Sequence, residues 1–116
     1  MTATLWFNPR CGTARTVKAW LDEHGVDYRE RRYLDDPPSR AEIEDVLASG
    51  DLKAGDLLRA KEAKAKELGL DAASDPDAIL DAMVEHPILI DRPVIVDGKR
   101  AALCRPADRI EAFYTA

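Results

Sequence analysis

The spacing of apolar and polar positions divides this chain into short, distinct elements. Thr4-Leu5-Trp6-Phe7, stopped by Asn8-Pro9, predicts a short buried strand. From Thr13 the apolar positions Val17, Trp20 and Leu21 fall at i, i+3 and i+4. That is one face of a helix, which Gly25 ends. Val26 to Leu34 predicts a second strand with a strongly charged outer face at Arg29, Glu30, Arg31 and Arg32. Asp35-Asp36-Pro37-Pro38 is a turn. Ser39-Arg40-Ala41-Glu42 is a capping box, in which the serine accepts from a free backbone N–H and the glutamate reaches back. It opens a helix with Ile43, Val46 and Leu47 on one side.

Leu52 to Val84 is rich in Ala, Leu, Lys, Glu and Asp, and is predicted helical. Gly69 closes one segment. Ser74-Asp75-Pro76-Asp77 opens another, with Ile79, Leu80 and Met83 inward, and Pro87 ends it. Val94-Ile95-Val96 and Arg100 to Leu103 flank Asp97-Gly98-Lys99, a hairpin signal. Pro106 starts a last helix presenting Ile110 and Phe113. The order βαβ, helical block, ββα predicts an α/β fold with a mixed sheet. It matches a thioredoxin-like domain over residues 1–116, with a helical insertion at about 39–86 between its two halves.

At 116 residues the chain suits one modest core. No long apolar stretch predicts a membrane span, and the N-terminus has no secretory pattern. The net charge of −5, with no basic block, argues against nucleic acid as the main ligand. The two cysteines, Cys11 and Cys104, are too few for a disulfide scaffold; reduced thiols and a cytoplasmic location are expected. One small acidic domain predicts a monomer. His24 and His86 form no pair at metal-ligand spacing, so no metal is expected. The Lys61 to Glu67 charge run reads as a solvated helix face.

Cys11 carries the candidate chemistry, because it sits where the first strand gives way to the first helix. Unpaired N–H groups and the positive end of the dipole meet there and favour a thiolate. A free thiol of pKa about 8.5 is only a few per cent ionised at neutral pH, and lowering it two units takes about 2.7 kcal/mol. The dipole supplies about 0.3–1 kcal/mol, so a second positive source is needed. A dithiol motif is excluded because position 14 is Ala14, and a Cys-x5-Arg phosphatase loop because position 17 is Val17. Whatever Cys11 attacks must therefore be resolved by an outside thiol or by Cys104. Cys104 follows a strand without an acid–base partner and reads as structural.

Arg59, Arg92 and Arg105 each follow an apolar run near the end of an element. Their forked donors suit tetrahedral oxyanions. Together with Cys11 they would form an oxyanion pocket. Asn8-Pro9-x-Cys11-Gly12-Thr13-x-Arg15, Tyr33-Leu34-x-x-Pro37-Pro38-Ser39-Arg40, Leu57-Leu58-Arg59, His86-Pro87-Ile88-Leu89-Ile90-x-Arg92-Pro93 and Leu103-Cys104-Arg105-Pro106 then come into view as one ordered set. The set resembles the glutaredoxin-coupled arsenate reductases, a thioredoxin-like family that also includes Spx-type regulators. The match runs from about residue 4 to about residue 106.

The resemblance implies that Cys11 attacks arsenate and that glutathione displaces the adduct. Glutaredoxin then resolves the mixed disulfide, and arsenite leaves. It assigns Arg59, Arg92 and Arg105 to the oxyanion and to holding the thiolate ionised, and it implies a cis Arg92–Pro93 bond. Glutathione enters as a reducing co-substrate, with no tightly bound cofactor. Two positions depart from the family pattern: Phe7 stands where histidine is usual, and Ala14 where serine is usual. Arg10, beside the cysteine, could offset the lost polar groups, although Arg10 and Arg15 are expected to face solvent. The departures leave open a family thiol reductase acting on another substrate. A non-enzymatic Spx-like regulator is disfavoured by the missing second cysteine.

Overall fold

β1 (Ala3–Phe7) lies inside a four-stranded sheet of order β2-β1-β3-β4. The computed structural model describes residues 2–115. β2 (Tyr28–Arg32) runs parallel to β1, with Phe7 beside Arg32. β3 (Val94–Asp97) and β4 (Arg100–Leu103) are antiparallel, with Trp6 opposite Val94 and Val94 opposite Leu103. The hairpin turns at Gly98, whose φ of 63° suits a residue without a side chain.

Period-two alternation sends successive side chains of β1 to opposite faces. Ala3, Leu5 and Phe7 join Ala14, Val17 and Leu21 of α1 (Gly12–Glu23), Ile95, and Ile110 and Phe113 of α6 (Arg109–Thr115) in one buried layer. Trp6 and Val94 face the other way. They pack with Ile43 and Val46 of α2 (Arg40–Ser49), Leu57 of α3 (Ala54–Leu57), Ala65 of α4 (Ala63–Glu67), and Ile79 and Met83 of α5 (Pro76–Glu85). The sheet is thus covered on both faces, and the predicted order βαβ, helices, ββα is the observed one.

Local signals set most boundaries. Ser39 and Glu42 form the capping box of α2, and Asp75 accepts from the Ala78 N–H at the start of α5. Gly25 and Gly69 carry positive φ just beyond α1 and α4. Three expectations are corrected. The second strand is confined to Tyr28–Arg32, and its Arg31 is buried rather than outward, held by Glu42 of α2 and by Asp36. The last helix begins at Arg109, because Pro106 to Asp108 form a turn in which the Arg109 N–H reaches the Pro106 carbonyl.

The Leu52–Val84 region is not continuously helical. After α3 the backbone extends at Leu58, which bridges Ile90. The Arg59 N–H donates to Leu89 O at 2.7 Å and the Asp91 N–H to Leu57 O at 2.8 Å. Tertiary pairing therefore overrides the helical propensity of this stretch, and it sets Arg59 beside Asp91.

α1 is held to the sheet by Val17 and Leu21, both fully buried. Leu21→Ala is expected to cost about 2–5 kcal/mol. In urea unfolding this would appear as a lower midpoint at unchanged slope.

Candidate active site

β1 ends in a loop that Asn8 shapes from a nearly fully buried position. Its backbone carbonyl accepts from the Cys11 N–H at 3.0 Å, and its Oδ1 accepts from the Arg10 N–H at 3.0 Å. The loop delivers Cys11 to the N-cap of α1, where its own carbonyl accepts from Arg15 N. Asn8 reads in sequence as a strand stop and as one member of the Cys11 motif; its place as the scaffold of this loop was missed.

The Cys11 sulfur is partly buried and closes no capping hydrogen bond onto the helix. Burial pushes its thiol upward. The Ala14 N–H, the Arg105 guanidinium and the Thr13 N–H act against burial and prevail, so the pKa lies below that of an ordinary cysteine. Arg105 Nη1 is 3.6 Å from Sγ and is the second positive source that the dipole alone could not replace. Cys104 behaves in the opposite way: it is fully buried, and burial pushes it up to about 12.

Arg105 reaches Cys11 because the Cys104 N–H donates to Pro93 O at 2.9 Å, drawing the end of β4 over the start of β3. Both Arg92–Pro93 and Arg105–Pro106 are cis. Arg105 Nη1 also donates to Arg92 O at 3.1 Å, and its Nε lies 3.7 Å from Asp91 Oδ1. The same Asp91 oxygen is 3.3 Å from Arg59 Nη1 and accepts from the Arg92 N–H at 3.0 Å. Glu62 Oε1 joins Arg59 Nε at 3.0 Å to Arg92 Nη2 at 3.7 Å. Arg92 is buried, anchored by the carbonyls of Ile88 and Ile90, and its Nε has no partner.

The structure thus joins all four residues singled out in the sequence. Arg105 touches the sulfur directly. Arg59 and Arg92 join the group through Asp91 and Glu62, which sequence reasoning did not select. Glu62 corrects the solvated-face expectation for the 61–67 run: it turns inward from the residue preceding α4. Its i, i+3 spacing from Arg59 was the available signal. Tyr33 was also missed as a site residue. Its hydroxyl is buried without a hydrogen-bond partner, and burial raises its pKa against the opposing influence of Arg92. Phe7 of β1 and Ala14 of α1 are buried in the same layer, and Arg10 and Arg15 are exposed, with Arg15 donating to Pro9 O.

Three guanidiniums face two carboxylates and one thiolate, so formal charge nearly cancels. A tetrahedral anion entering here must compete with Asp91 and Glu62 for the same donors. Among the described residues, no helix is long and apolar enough to cross a membrane.

Iodoacetamide is expected to modify Cys11 in the native protein and Cys104 only after unfolding. The Cys11 rate against pH should inflect below free cysteine, because the thiolate persists to lower pH. Arg105→Gln should slow the neutral-pH reaction by roughly tenfold, the lower end of what one hydrogen bond to a charged group is worth. Glu62→Gln, which keeps an acceptor but removes a charge, should improve protection of Cys11 by sulfate about threefold.

Comparison with known proteins gives a consistent result. Residues 6–113 match the family model described as the ArsC family. An arsenate reductase of Rhizobium meliloti is 42% identical over 109 residues, covering 93% of this chain and 78% of that protein. One from Neisseria meningitidis serogroup A is 38% identical over 110 residues, covering 93% and 94%. The solved arsenate reductase from Vibrio cholerae superposes with a TM-score of 0.90 at 32% identity, covering 97% of this chain and 98% of that one. The mixed four-stranded sheet with its helices is therefore the thioredoxin-like fold of those structures.

Proposed function

The chain belongs to the ArsC family, and from that premise we propose that it reduces arsenate to arsenite. The observation that carries the proposal is the lowered pKa of Cys11 together with the guanidinium 3.6 Å from its sulfur. Cys11 attacks arsenic as the thiolate. Arg59, Arg92 and Arg105 hold the oxyanion and stabilise the charge that gathers on its oxygens. Two external thiols, glutathione and the glutaredoxin cysteine, end as one disulfide. They supply the two electrons that take arsenic from the pentavalent to the trivalent state, and one arsenate oxygen leaves as water.

In the first step the sulfur must reach arsenic while the oxygens lie in the guanidinium cradle. Arg105 suits both tasks, since its Nη1 already meets the sulfur and its Nε faces Asp91, a carboxylate that an oxyanion would replace. Cys104 takes no part: a thiol held near pKa 12 stays protonated at neutral pH. The proposal extends to a cytoplasmic monomer that uses no metal, nucleic acid or membrane.

A second reading, a thiol reductase acting on a different substrate, draws support from Phe7 and Ala14. Both are buried and apolar and offer no side-chain donor to an oxyanion. Arsenate-dependent NADPH oxidation, coupled through glutathione, glutaredoxin and glutathione reductase, tests the proposal. Cys11→Ser is expected to abolish it and Cys104→Ser to retain most of it. Turnover of glutathione mixed disulfides without any arsenate-dependent oxidation would instead select the second reading.

A further inference from the structure

A cavity of about 440 Å³ opens beside the Cys11 loop, within the roughly 300–1,000 Å³ range of small-molecule sites. Asn8, Pro9 and Arg10 form one wall; these are the residues that lead directly into Cys11. Arg92 forms another, and its backbone carbonyl holds the Arg105 guanidinium against the sulfur. The cavity therefore lies beside the loop that carries the nucleophile, although Cys11 itself does not line it.

Its chemistry is mixed in a specific way. Leu34 and Ile88 contribute apolar surface, and Leu34 is one of few large apolar side chains left exposed. Arg10 is exposed, and its guanidinium has no ion pair among the described residues. Arg32 pairs only through Nε, with Glu30 at 2.9 Å, leaving its terminal nitrogens free among those residues. Asp35 adds one carboxylate. A chain of net charge −5 thus places two available cations and one anion around an apolar hollow. Another cavity, about 400 Å³ beside α2, is lined by Arg29, Arg31 and Lys99 as well as Glu42 and Asp45, and differs in that no residue of the Cys11 loop lines it.

We infer that this cavity seats the small carboxylate-bearing thiol that attacks the Cys11 adduct, with Arg10 and Arg32 receiving its carboxylates and Asp35 its ammonium. The identity of the ligand rests on the proposed reductase activity; the charge pattern does not. Glutathione carries two carboxylates, one ammonium and a thiol on a short peptide body, and its charged groups match Arg10, Arg32 and Asp35 of the lining. Register explains how the cations converge. Phe7 and Arg32 are paired at the carboxyl ends of the parallel strands β1 and β2, so the two chains leave the sheet side by side. Arg10 follows one strand and Arg32 ends the other. Neither touches the oxyanion cradle, so the second substrate has its own charge recognition.

The test separates this inference from the reductase activity. S-methylglutathione, which cannot react, is titrated into the Cys11→Ser protein and followed by NMR. Saturable shifts are expected at Arg10, Leu34 and Ile88. An Arg10→Gln/Arg32→Gln double variant should bind about tenfold more weakly, each exposed charge pair being worth about threefold. In turnover, the same variant should lose about tenfold in kcat/KM for glutathione relative to the uncharged 2-mercaptoethanol. Binding at these residues in a protein without arsenate turnover would sustain the cavity assignment and remove the reductase activity. Turnover with no shift at these residues would do the reverse. Shifts there with glutaredoxin but not with S-methylglutathione would overturn the inference in favour of a protein-docking face.

Discussion

One guanidinium serving two anions organises this molecule. Arg105 faces the Cys11 sulfur at 3.6 Å and Asp91 at 3.7 Å. Partial burial of a thiol favours its neutral form; the Ala14 N–H at the helix start opposes it most, followed by the Arg105 guanidinium and the Thr13 N–H. The thiolate therefore draws on both the helix start and a cation brought from the far end of the chain. Delivering it requires β4 to end beside Pro93, which the Cys104 N–H and Pro93 carbonyl secure. It also requires the guanidinium to be held in place, which falls to the Arg92 carbonyl and Asp91. The buried Cys104 thus acts structurally through its backbone.

Asp91 and Glu62 give the resting site a second property. A cradle of three bare guanidiniums would repel itself and scatter. With two carboxylates between them the donors are preorganised, which is the condition under which charge stabilisation is most effective. The opposing cost is occupancy, since an incoming oxyanion must exchange with carboxylates already in place. Asp91 meets Arg59, Arg105 and the Arg92 N–H through one oxygen, so it orients the cradle and, under the proposed function, would also limit its affinity for an oxyanion.

Elements set by neighbours in sequence were legible in advance: β1, α1, the capping box of α2, and the Gly98 hairpin. Cys11 and the three arginines were legible too, as residue types suited to one chemistry and as members of an ordered set of motifs. What escaped depends on contacts distant in sequence. Asp91 becomes a site residue only because residues 57–59 pair with residues 89–91, and no local pattern announces that pairing. The same pairing interrupts a stretch whose Ala, Leu, Lys and Glu content favours helix. Arg31 looked like one more surface charge because its partner, Glu42, lies on the next helix. Asn8 and Tyr33 stand in the ordered motifs, but nothing in the sequence assigns either one a role in the site.

The departures at Phe7 and Ala14 can now be weighed against the geometry. A polar side chain at either position could have tuned the sulfur, yet the donor supplied at position 14 is a backbone N–H, which any residue other than proline provides. Ala14 is fully buried against the sheet, where a hydroxyl would need a partner of its own. What the chain gives up in side-chain donors it retains in helix geometry and in Arg105. Those sources exist only when β1, α1 and the end of β4 are assembled, because Arg105 lies far from Cys11 in sequence. In the unfolded chain Cys11 is an ordinary thiol, so its reactivity is a property of the fold rather than of the loop that carries it.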